Sequence, residues 1–315
     1  TGFNTDNAEA RDYLMRVGEY WAERGIDGWR LDVPEEIQTP GFWEEFRERT
    51  RAVNPDLYIV GEIWSEASAY INEGDRFDGT MNYPFTTATI AFAIGDRLDP
   101  STMMDNPHYD VAPALDGSGY RHRIEWLLNH YPEAASLANL NLLDSHDTAR
   151  ILSIASGDED SVLLSLALLL TFPGAPSIYY GSEIGLEGGV DPDCRRSFPW
   201  DYEDHWNQRI LEATRELIAL RHAHPALRGA GYQIVWPPDD GDGSMMYAFE
   251  RTEDDDRLLV VVNAGRERET QAINRDQLGF SAAELVWGSG ELIPGENQST
   301  ISIPPRSAAI WALSS

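Results

Sequence analysis

The sequence contains no lysine, so all 24 of its basic residues are arginines. They are outnumbered by 53 Asp and Glu residues, and the formal net charge is -29. Nucleic acids and anionic membrane surfaces are bound through clustered positive charge, so this composition argues against both as partners and favours a neutral substrate. Strong acidity without lysine also indicates adaptation to high salt, which screens self-repulsion, although drift in a GC-rich genome gives the same arginine preference.

Cysteine and long apolar runs are equally scarce. The single cysteine, Cys194, excludes an internal disulfide and a cysteine metal cluster. The longest apolar run, residues 162–172, is shorter than the roughly 20 residues that cross a bilayer, and we interpret it as a buried helix. No charged segment followed by an apolar segment opens the chain, but Thr1 is not a natural start. Export therefore stays open, with a cytoplasmic location favoured over secretion.

Helical and strand patterns alternate as far as Pro225. On the first helix, which Asp6 or Asn7 would cap, an apolar face is formed by Ala10, Leu14, Val17 and Trp21. The alternation predicts an α/β fold in which helices cover a parallel sheet. The predicted strands lie at about residues 28–33, 58–60, 77–82, 140–143 and 177–180, and the predicted helices include residues 8–24, 84–94 and 121–130.

The pattern changes to short alternating strands after residue 230, and residues 230–315 are predicted to form an antiparallel β-sandwich domain. Two acidic clusters in this part, residues 239–243 and 253–256, do not have the spacing of an EF-hand calcium loop. We interpret both clusters as hairpin turns on an acidic surface.

Three of the predicted strands end in acidic residues. Asp32 closes the first strand and Arg30 precedes it by two positions, so strand alternation places both side chains on one face. Glu62 closes the second strand, and His146 with Asp147 follows the strand at 140–143. The carboxyl ends of strands in a parallel α/β barrel gather catalytic groups, so these acids are expected to converge.

Five segments carry a resemblance to a known family. The chain resembles the α-amylase family, glycoside hydrolase family thirteen, and within it the neopullulanase and cyclomaltodextrinase group. The resemblance implies a (β/α)8 TIM barrel with a C-terminal sandwich, and a retaining hydrolase of α-1,4 or α-1,6 linked glucans, maltooligosaccharides or cyclodextrins. A transglycosylase of the same family is the alternative activity. The segments are, in order, GIDGWRLDV, YIVGEIW, FDGTMNYPF, LLDSHDTAR and GAPSIYYGSEIGLEGGVDPDCRRSFPW.

The resemblance also implies roles for single residues. Asp32 matches the nucleophile that forms a covalent glycosyl intermediate, Glu62 the general acid and base, and Asp147 the third carboxylate. Arg30 is expected to keep Asp32 ionised, while apolar neighbours raise the proton affinity of Glu62. The expected substrate-binding residues are Arg30, His146, Trp64, Asp191 and Arg195.

Alternatives remain open for several of these residues. Trp64 is as often a core residue as a sugar-stacking platform, and Asp191 with Arg195 forms an internal salt bridge as readily as a subsite. Tyr83 and Trp200 are equally ambiguous. We expect no cofactor and no metal, because the family's calcium ligands lie largely outside the segments that match.

The matching segments begin at the helix before the fourth strand of the family barrel. Residues 1–229 are therefore expected to supply strands four to eight of a (β/α)8 barrel, and the isolated chain to be inactive. It would form a homo-oligomer or depend on a complementing N-terminal fragment. A non-catalytic carbohydrate-binding fragment of an amylase is the alternative of another class.

Overall fold

A computed structural model of the chain describes residues 3–103, 109, 111, 114–237, 243–274 and 276–314. The chain divides into two compact units. The first unit comprises Thr1–Pro84 and Leu128–Leu140, and the second comprises Phe85–Leu127 and Asn141–Ser315.

Regular structure alternates between helices and short strands up to Ala223, and consists of strands from Gly231 onward. The α-helices of the described residues are α1 (Ala8–Glu23), α2 (Phe42–Val53), α3 (Ser68–Ile71), α4 (Tyr83–Thr89), α5 (Gly117–His130), α6 (Glu133–Ala138), α7 (Ile151–Ile154), α8 (Glu159–Thr171) and α9 (Gln208–Ala223). The strands are β1 (Gly28–Leu31), β2 (Tyr58–Gly61), β3 (Gly79–Thr80), β4 (Leu140–Leu142), β5 (Ala175–Ser177), β6 (Gly231–Trp236), β7 (Met246–Glu253), β8 (Asp256–Asn263), β9 (Glu269–Asn274), β10 (Ala282–Gly288), β11 (Glu291–Ile293), β12 (Gln298–Ile303) and β13 (Ser307–Ser314).

Several connections contain tighter or wider turns of helix. A π-helix, Ile90–Ile94, continues α4, so the predicted helix at 84–94 exists but changes its winding halfway. The 3-10 helices are Pro34–Glu36, Gly95–Arg97, Pro100–Thr102, Ser182–Ile184, Asp193–Arg195, Glu203–His205 and Pro225–Leu227.

Helix α1 begins where the sequence predicts but buries a different face. Asn7 is its N-cap and accepts hydrogen bonds from the backbone N–H groups of Glu9 and Ala10, each at 3.0 Å. The predicted apolar face is wrong in part, because Val17 and Trp21 are exposed. The residues of α1 that are buried are Met15, Gly18 and Ala22.

The burial of Gly18 has a steric reason. A Cβ atom at this position would lie 2.7 Å from Phe46 and 2.8 Å from Thr50, both on α2. The two helices therefore approach each other over small residues, a device that hydrophobicity alone does not predict.

The first unit contains a parallel sheet in the order β1-β2-β3. Arg30 pairs with Val60, and Leu31 pairs with Gly61, so β1 and β2 end side by side. The predicted strand at 77–82 is shorter in the structure, where only Gly79–Thr80 joins the sheet. This register places Asp32 and Glu62 directly after the ends of two adjacent parallel strands.

Strand β4 pairs with β5. The predicted buried helix is confirmed as α8. From Ser161 to Thr171 nearly every residue of α8 is buried. Strand β5 begins and ends earlier than the predicted 177–180, because the carbonyl of Tyr180 accepts a hydrogen bond from Arg150 instead of joining a strand. No helix in the described part of the chain is long and apolar enough to cross a membrane.

Two antiparallel sheets follow residue 230, as the alternating sequence pattern predicts. One has the order β10-β13-β8-β7-β6 and the other the order β11-β12-β9. Leu259, Val261, Ile301 and Trp311 contribute to a shared apolar core of the two sheets. The acidic cluster at 253–256 is the tight turn between β7 and β8, as predicted. The other cluster, at 239–243, lies outside the described residues except for its last position.

Candidate active site

Arg30 joins the two acids at the ends of β1 and β2. Its Nη1 atom forms an ion pair with Asp32, and its Nη2 atom lies 2.5 Å from Oε1 of Glu62. The backbone N–H of Glu62 donates a 2.8 Å hydrogen bond to the carbonyl of Leu31, which continues the pairing of β1 with β2. Arg30 is thus in direct contact with both Asp32 and Glu62.

Burial distinguishes the two carboxylates. The side chain of Glu62 is 2% exposed, whereas that of Asp32 is 75% exposed and that of Arg30 is 30% exposed. The sequence suggested that Arg30 acts on Asp32 alone, but it contacts both acids. Its positive charge therefore does not distinguish the roles of the two carboxylates. Burial disfavours the charged form of a carboxylate, and it acts on Glu62 far more than on Asp32.

The backbone beside these acids is unusual at two positions. Val33 has a φ of 33°, in the left-handed region that β-branched residues rarely adopt, and its N–H donates to Oε2 of Glu62 at 3.3 Å. Such conformations cost about 1–3 kcal/mol and concentrate at functional sites. At Gly61, a Cβ atom would lie 2.8 Å from Phe77, so glycine is required for this close packing next to Glu62.

Trp64, predicted as a sugar platform or a core residue, is buried in the structure. Its ring stacks on that of Tyr83, with ring centroids 3.9 Å apart and an interplanar angle of 8°. One face of the Trp64 indole is therefore covered by protein. Trp200, by contrast, is 71% exposed.

The second unit brings together the remaining predicted site residues. His146 Nε2 lies 3.1 Å from Oδ2 of Asp147, and Arg195 Nη2 lies 3.0 Å from Oδ1 of the same carboxylate. Arg195 Nε also lies 2.7 Å from Oδ1 of Asp191. Arg195 thus forms the internal salt bridge with Asp191 and also contacts Asp147.

Charge around Arg195 is balanced by these two acids. Partial desolvation opposes its protonation, but the carboxylates of Asp191 and Asp147 raise the pKa of Arg195 above its usual value. A guanidinium holds its charge and presents fixed donors, so it can fix the orientation of the Asp147 carboxylate.

Two buried residues of this unit were not among the predicted site residues. Asp144 is buried, and its Oδ2 atom accepts hydrogen bonds from Ser182 Oγ at 2.6 Å and from the N–H of Ile151 at 2.9 Å. Burial raises the pKa of Asp144. Arg150 is fully buried. Their positions in LLDSHDTAR, directly after a strand, were the available signal.

Among the described residues, no group of three or more His, Cys, Asp or Glu side chains is arranged to hold a metal ion. The geometry is that of two sets of polar residues. Arg30, Asp32 and Glu62 form the set in the first unit, and His146, Asp147, Asp191 and Arg195 form the set in the second.

Parallel strands that alternate with helices and end in acidic residues are typical of α/β-barrel enzymes. Residues 1–218 match the model of the α-amylase catalytic domain. The chain therefore belongs to the α-amylase family, as its motifs indicated.

Similar proteins extend over nearly the whole chain. A cyclomaltodextrinase of Geobacillus thermopakistaniensis is 36% identical over 99% of this chain, and neopullulanase 2 of Thermoactinomyces vulgaris is 39% identical over 87%. The solved structure of a debranching enzyme from Nostoc punctiforme is 46% identical, covers 98% of this chain and superimposes with a TM-score of 0.91. This chain covers 49%, 43% and 63% of those three proteins, so it spans about half the length of the curated relatives it matches.

Proposed function

We propose that this chain carries the catalytic residues of a retaining α-glucoside hydrolase. The observation that carries the proposal is the contact of Arg30 with both Asp32 and Glu62 at the ends of adjacent parallel strands. Retaining glycosidases need two carboxyl groups about 5–5.5 Å apart, one as a nucleophile and one as a proton donor. Two acids that share one guanidinium are well placed to approach this spacing.

The different burial of the acids supports a division of roles. Asp32 is 75% exposed and therefore accessible to a sugar, so it is the nucleophile that attacks the anomeric carbon and forms the glycosyl ester. Glu62 is 2% exposed, and we assign it as the proton donor to the leaving sugar oxygen. After the first product leaves, Glu62 takes a proton from water, which then hydrolyses the ester.

Asp147 is proposed as the third carboxylate, which accepts hydrogen bonds from sugar hydroxyls. His146 and Arg195 contact its two oxygens separately and fix its orientation. Asp191 holds Arg195 from the other side. His146, Arg195 and Asp191 are accordingly assigned to substrate binding together with Arg30, and Trp64 lines the site beside Glu62.

For the domains, we propose that residues 1–229 form strands four to eight of a (β/α)8 barrel and that residues 230–315 form a β-sandwich. Within the described residues β1 pairs only with β2, and β5 pairs only with β4, whereas barrel closure requires two neighbours for each strand. The helix before β1 also has exposed aromatic residues, including Tyr20 and Trp21. A fragment that supplies the first three strands, or a second copy of the chain, would cover these surfaces.

The substrate class is proposed from the relatives. Proteins named cyclomaltodextrinase and neopullulanase resemble the chain over most of its length, which supports α-1,4 or α-1,6 linked glucans, maltooligosaccharides or cyclodextrins as substrates. A transglycosylase would use the same residues and differ only in whether a sugar hydroxyl replaces water. A non-catalytic binding fragment would not need the Arg30 contact with two acids.

The acidic, lysine-free composition further supports activity at high salt. Screening by salt weakens repulsion between carboxylates on a surface of this charge.

The test of this function is incubation of the purified protein, alone and after addition of a fragment that supplies the first three strands, with maltotriose, pullulan and a cyclodextrin, followed by measurement of reducing sugar. Proton NMR at early times identifies the anomer that is released. Hydrolysis with an α-anomeric product supports the proposal, products longer than the substrate indicate transglycosylation, and a β-anomeric product contradicts the retaining mechanism.

A further inference from the structure

Arg150 is a buried arginine that does not belong to either set of proposed site residues. Its side chain has no solvent-exposed area, and a buried charge is retained only where specific partners compensate for lost hydration. The guanidinium carbon lies 4.1 Å from the ring centroid of Tyr179 and 4.6 Å from that of Tyr180. The aromatic faces thus stabilise the cation.

The hydrogen bonds of Arg150 connect separate stretches of chain. Its Nε atom donates to the carbonyl of Cys194 at 2.7 Å, and its Nη1 atom donates to the carbonyl of Tyr180. Its backbone N–H donates to the carbonyl of Gly188 at 2.9 Å. One residue therefore ties the segment after β4 to two parts of the segment after β5.

A second set of contacts runs in the opposite direction. The thiol of Cys194 donates to the carbonyl of His146 at 3.0 Å, and Nε of Arg195 donates to the same carbonyl at 2.9 Å. Arg150, in the segment after β4, thus binds the carbonyl of residue 194. Residues 194 and 195 in turn bind the carbonyl of His146, which lies in the same segment as Arg150. These reciprocal contacts enclose the pair formed by Arg195 and Asp147.

We infer that Arg150 is a positioning residue that fixes Arg195 against Asp147. The effect of Arg150 on catalysis rests on the proposed function. Its effect on the position of the loop that carries Cys194 and Arg195 does not. A lysine at this position keeps the charge but cannot present the planar, fixed donors that reach the carbonyls of Cys194 and Tyr180 together. Loss of this geometry moves Arg195 and frees the orientation of the Asp147 carboxylate.

The experiment compares Arg150→Lys with the wild-type protein by two readouts. Displacement of groups by about 1 Å costs about 10²-fold in turnover, so kcat for maltooligosaccharides is expected to fall by that factor with a smaller change in KM. Cys194 is the only cysteine and is buried, so its alkylation by iodoacetamide reports opening of the loop. We expect its rate to rise at least about tenfold.

Arg251→Lys is the matched control. Arg251 is also fully buried and donates to backbone carbonyls, including those of Gly231 at 2.7 Å and Gly229 at 2.6 Å, but it lies in strand β7. Its replacement should lower the thermal midpoint without changing kcat or the alkylation rate. If Arg150→Lys does not fold, Tyr179→Leu, which removes an aromatic face from the guanidinium, takes its place in both assays.

A double-mutant cycle separates positioning from general destabilisation. If Arg150 acts through Arg195, Arg150→Lys should have little further effect on kcat in an Arg195→Ala background. Additive losses, or normal kcat with unchanged thiol alkylation, would overturn the inference. A wild-type protein that cleaves no α-glucan, either alone or with the added fragment that supplies the first three strands, would contradict the proposed function instead, and the alkylation rates would still decide the role of Arg150.

Discussion

The Nη2 atom of Arg30 lies 2.5 Å from Oε1 of Glu62, while its Nη1 atom pairs with Asp32. One arginine thereby fixes the relative placement of two acids that are 30 residues apart in the chain. Donors that are already oriented need no reorganisation during a reaction, so we propose that this contact serves the site as well as the fold. Because the cation is shared, the two acids differ mainly in their exposure to water.

The first prediction concerns these two acids. In protein to which the fragment with the first three strands has been added, Asp32→Asn should lower hydrolysis of maltotriose by orders of magnitude, because an amide cannot form the glycosyl ester. Glu62→Gln should lower it by about 10²–10⁴-fold, because an amide cannot transfer the proton. The measurement is the initial rate of glucose and maltose release, with folding verified by circular dichroism.

A substrate with a good leaving group separates the two roles. The fluoride of a glycosyl fluoride leaves without protonation, so Glu62→Gln should lose much less activity on maltosyl fluoride than on maltotriose. Asp32→Asn should lose its activity on both substrates. Asp27→Asn is the control, since Asp27 is exposed and precedes the same strand at its opposite end. Near-normal turnover by Asp32→Asn would show that the nucleophile is another residue.

The second prediction concerns Asp147. Asp147→Asn should lower kcat nearly as much as the first two substitutions, because an amide places a donor where sugar hydroxyls and Arg195 require an acceptor. Asp193→Asn is a control in the neighbouring loop, where Asp193 pairs with Arg196 at 2.7 Å instead. Steady-state kinetics of both variants on maltooligosaccharides test the difference. Equal losses in the two variants would indicate a general effect on the loop.

Local sequence patterns predicted the elements of the fold better than their contacts. Strands β1, β2 and β4 and the strands after residue 230 lie where the apolar pattern and the turn residues predict them. The buried face of α1 was mispredicted because Gly18, which carries little hydrophobic signal, allows α2 to approach. Burial by close approach depends on the partner helix, which a single segment does not reveal.

The same limit applies to the site. Asp32 and Glu62 were identified because each follows an apolar strand, a local property. The double contact of Arg30 depends on the register of β1 with β2, and the burial of Arg150 depends on the course of the segment after β5. Such relations arise only when distant stretches meet, so the sequence did not predict the double contact of Arg30 or the burial of Arg150.

The third prediction follows from the buried carboxyl of Asp144, whose pKa is raised by burial. The unfolded chain releases this proton near the ordinary aspartate pKa of about 3.9, while the folded protein retains it to higher pH. Between the two values the folded state binds more protons, so this group lowers the free energy of unfolding as pH rises. In Asp144→Asn that decline should be absent.

Urea unfolding of both proteins across the acidic range measures the difference. The pKa of Asp158 is shifted in the opposite direction, so its effect on the pH dependence of stability has the opposite sign. Burial opposes its ionisation, but hydrogen bonds from Ser161 and Arg97 and the charge of Arg306 lower its pKa. Its contribution to stability should therefore be lost as pH falls through the lowered folded pKa. If Asp144→Asn and Asp158→Asn changed the pH profile in the same direction, the assignment for Asp144 would be wrong.

The fourth prediction concerns the net charge of -29. The Debye length falls from about 10 Å at 0.1 M to about 3 Å at 1 M ionic strength, so repulsion among surface carboxylates should decrease over that range. We expect the thermal midpoint to rise when NaCl is increased accordingly. A matched measurement in a non-ionic osmolyte controls for general solvent effects. A midpoint that is unchanged or lower at high NaCl would contradict adaptation to salt.

The fifth prediction concerns the edges of β1 and β5 that pair with no further strand within the described residues. Exposed edges of parallel strands pair with other chains unless they are covered, so the chain alone should be inactive and oligomeric, or should bind a fragment that supplies three further strands. The segment of the Geobacillus cyclomaltodextrinase that this chain does not match is a suitable fragment for the test. Mixing the two purified pieces should restore cleavage of maltooligosaccharides and reduce light scattering, because the three acids are already present here.

The same mixture prepared with the Asp32→Asn chain should remain inactive, which excludes activity of the added fragment. A monomeric chain with full activity on its own would show that the sheet pairing seen here is sufficient for catalysis.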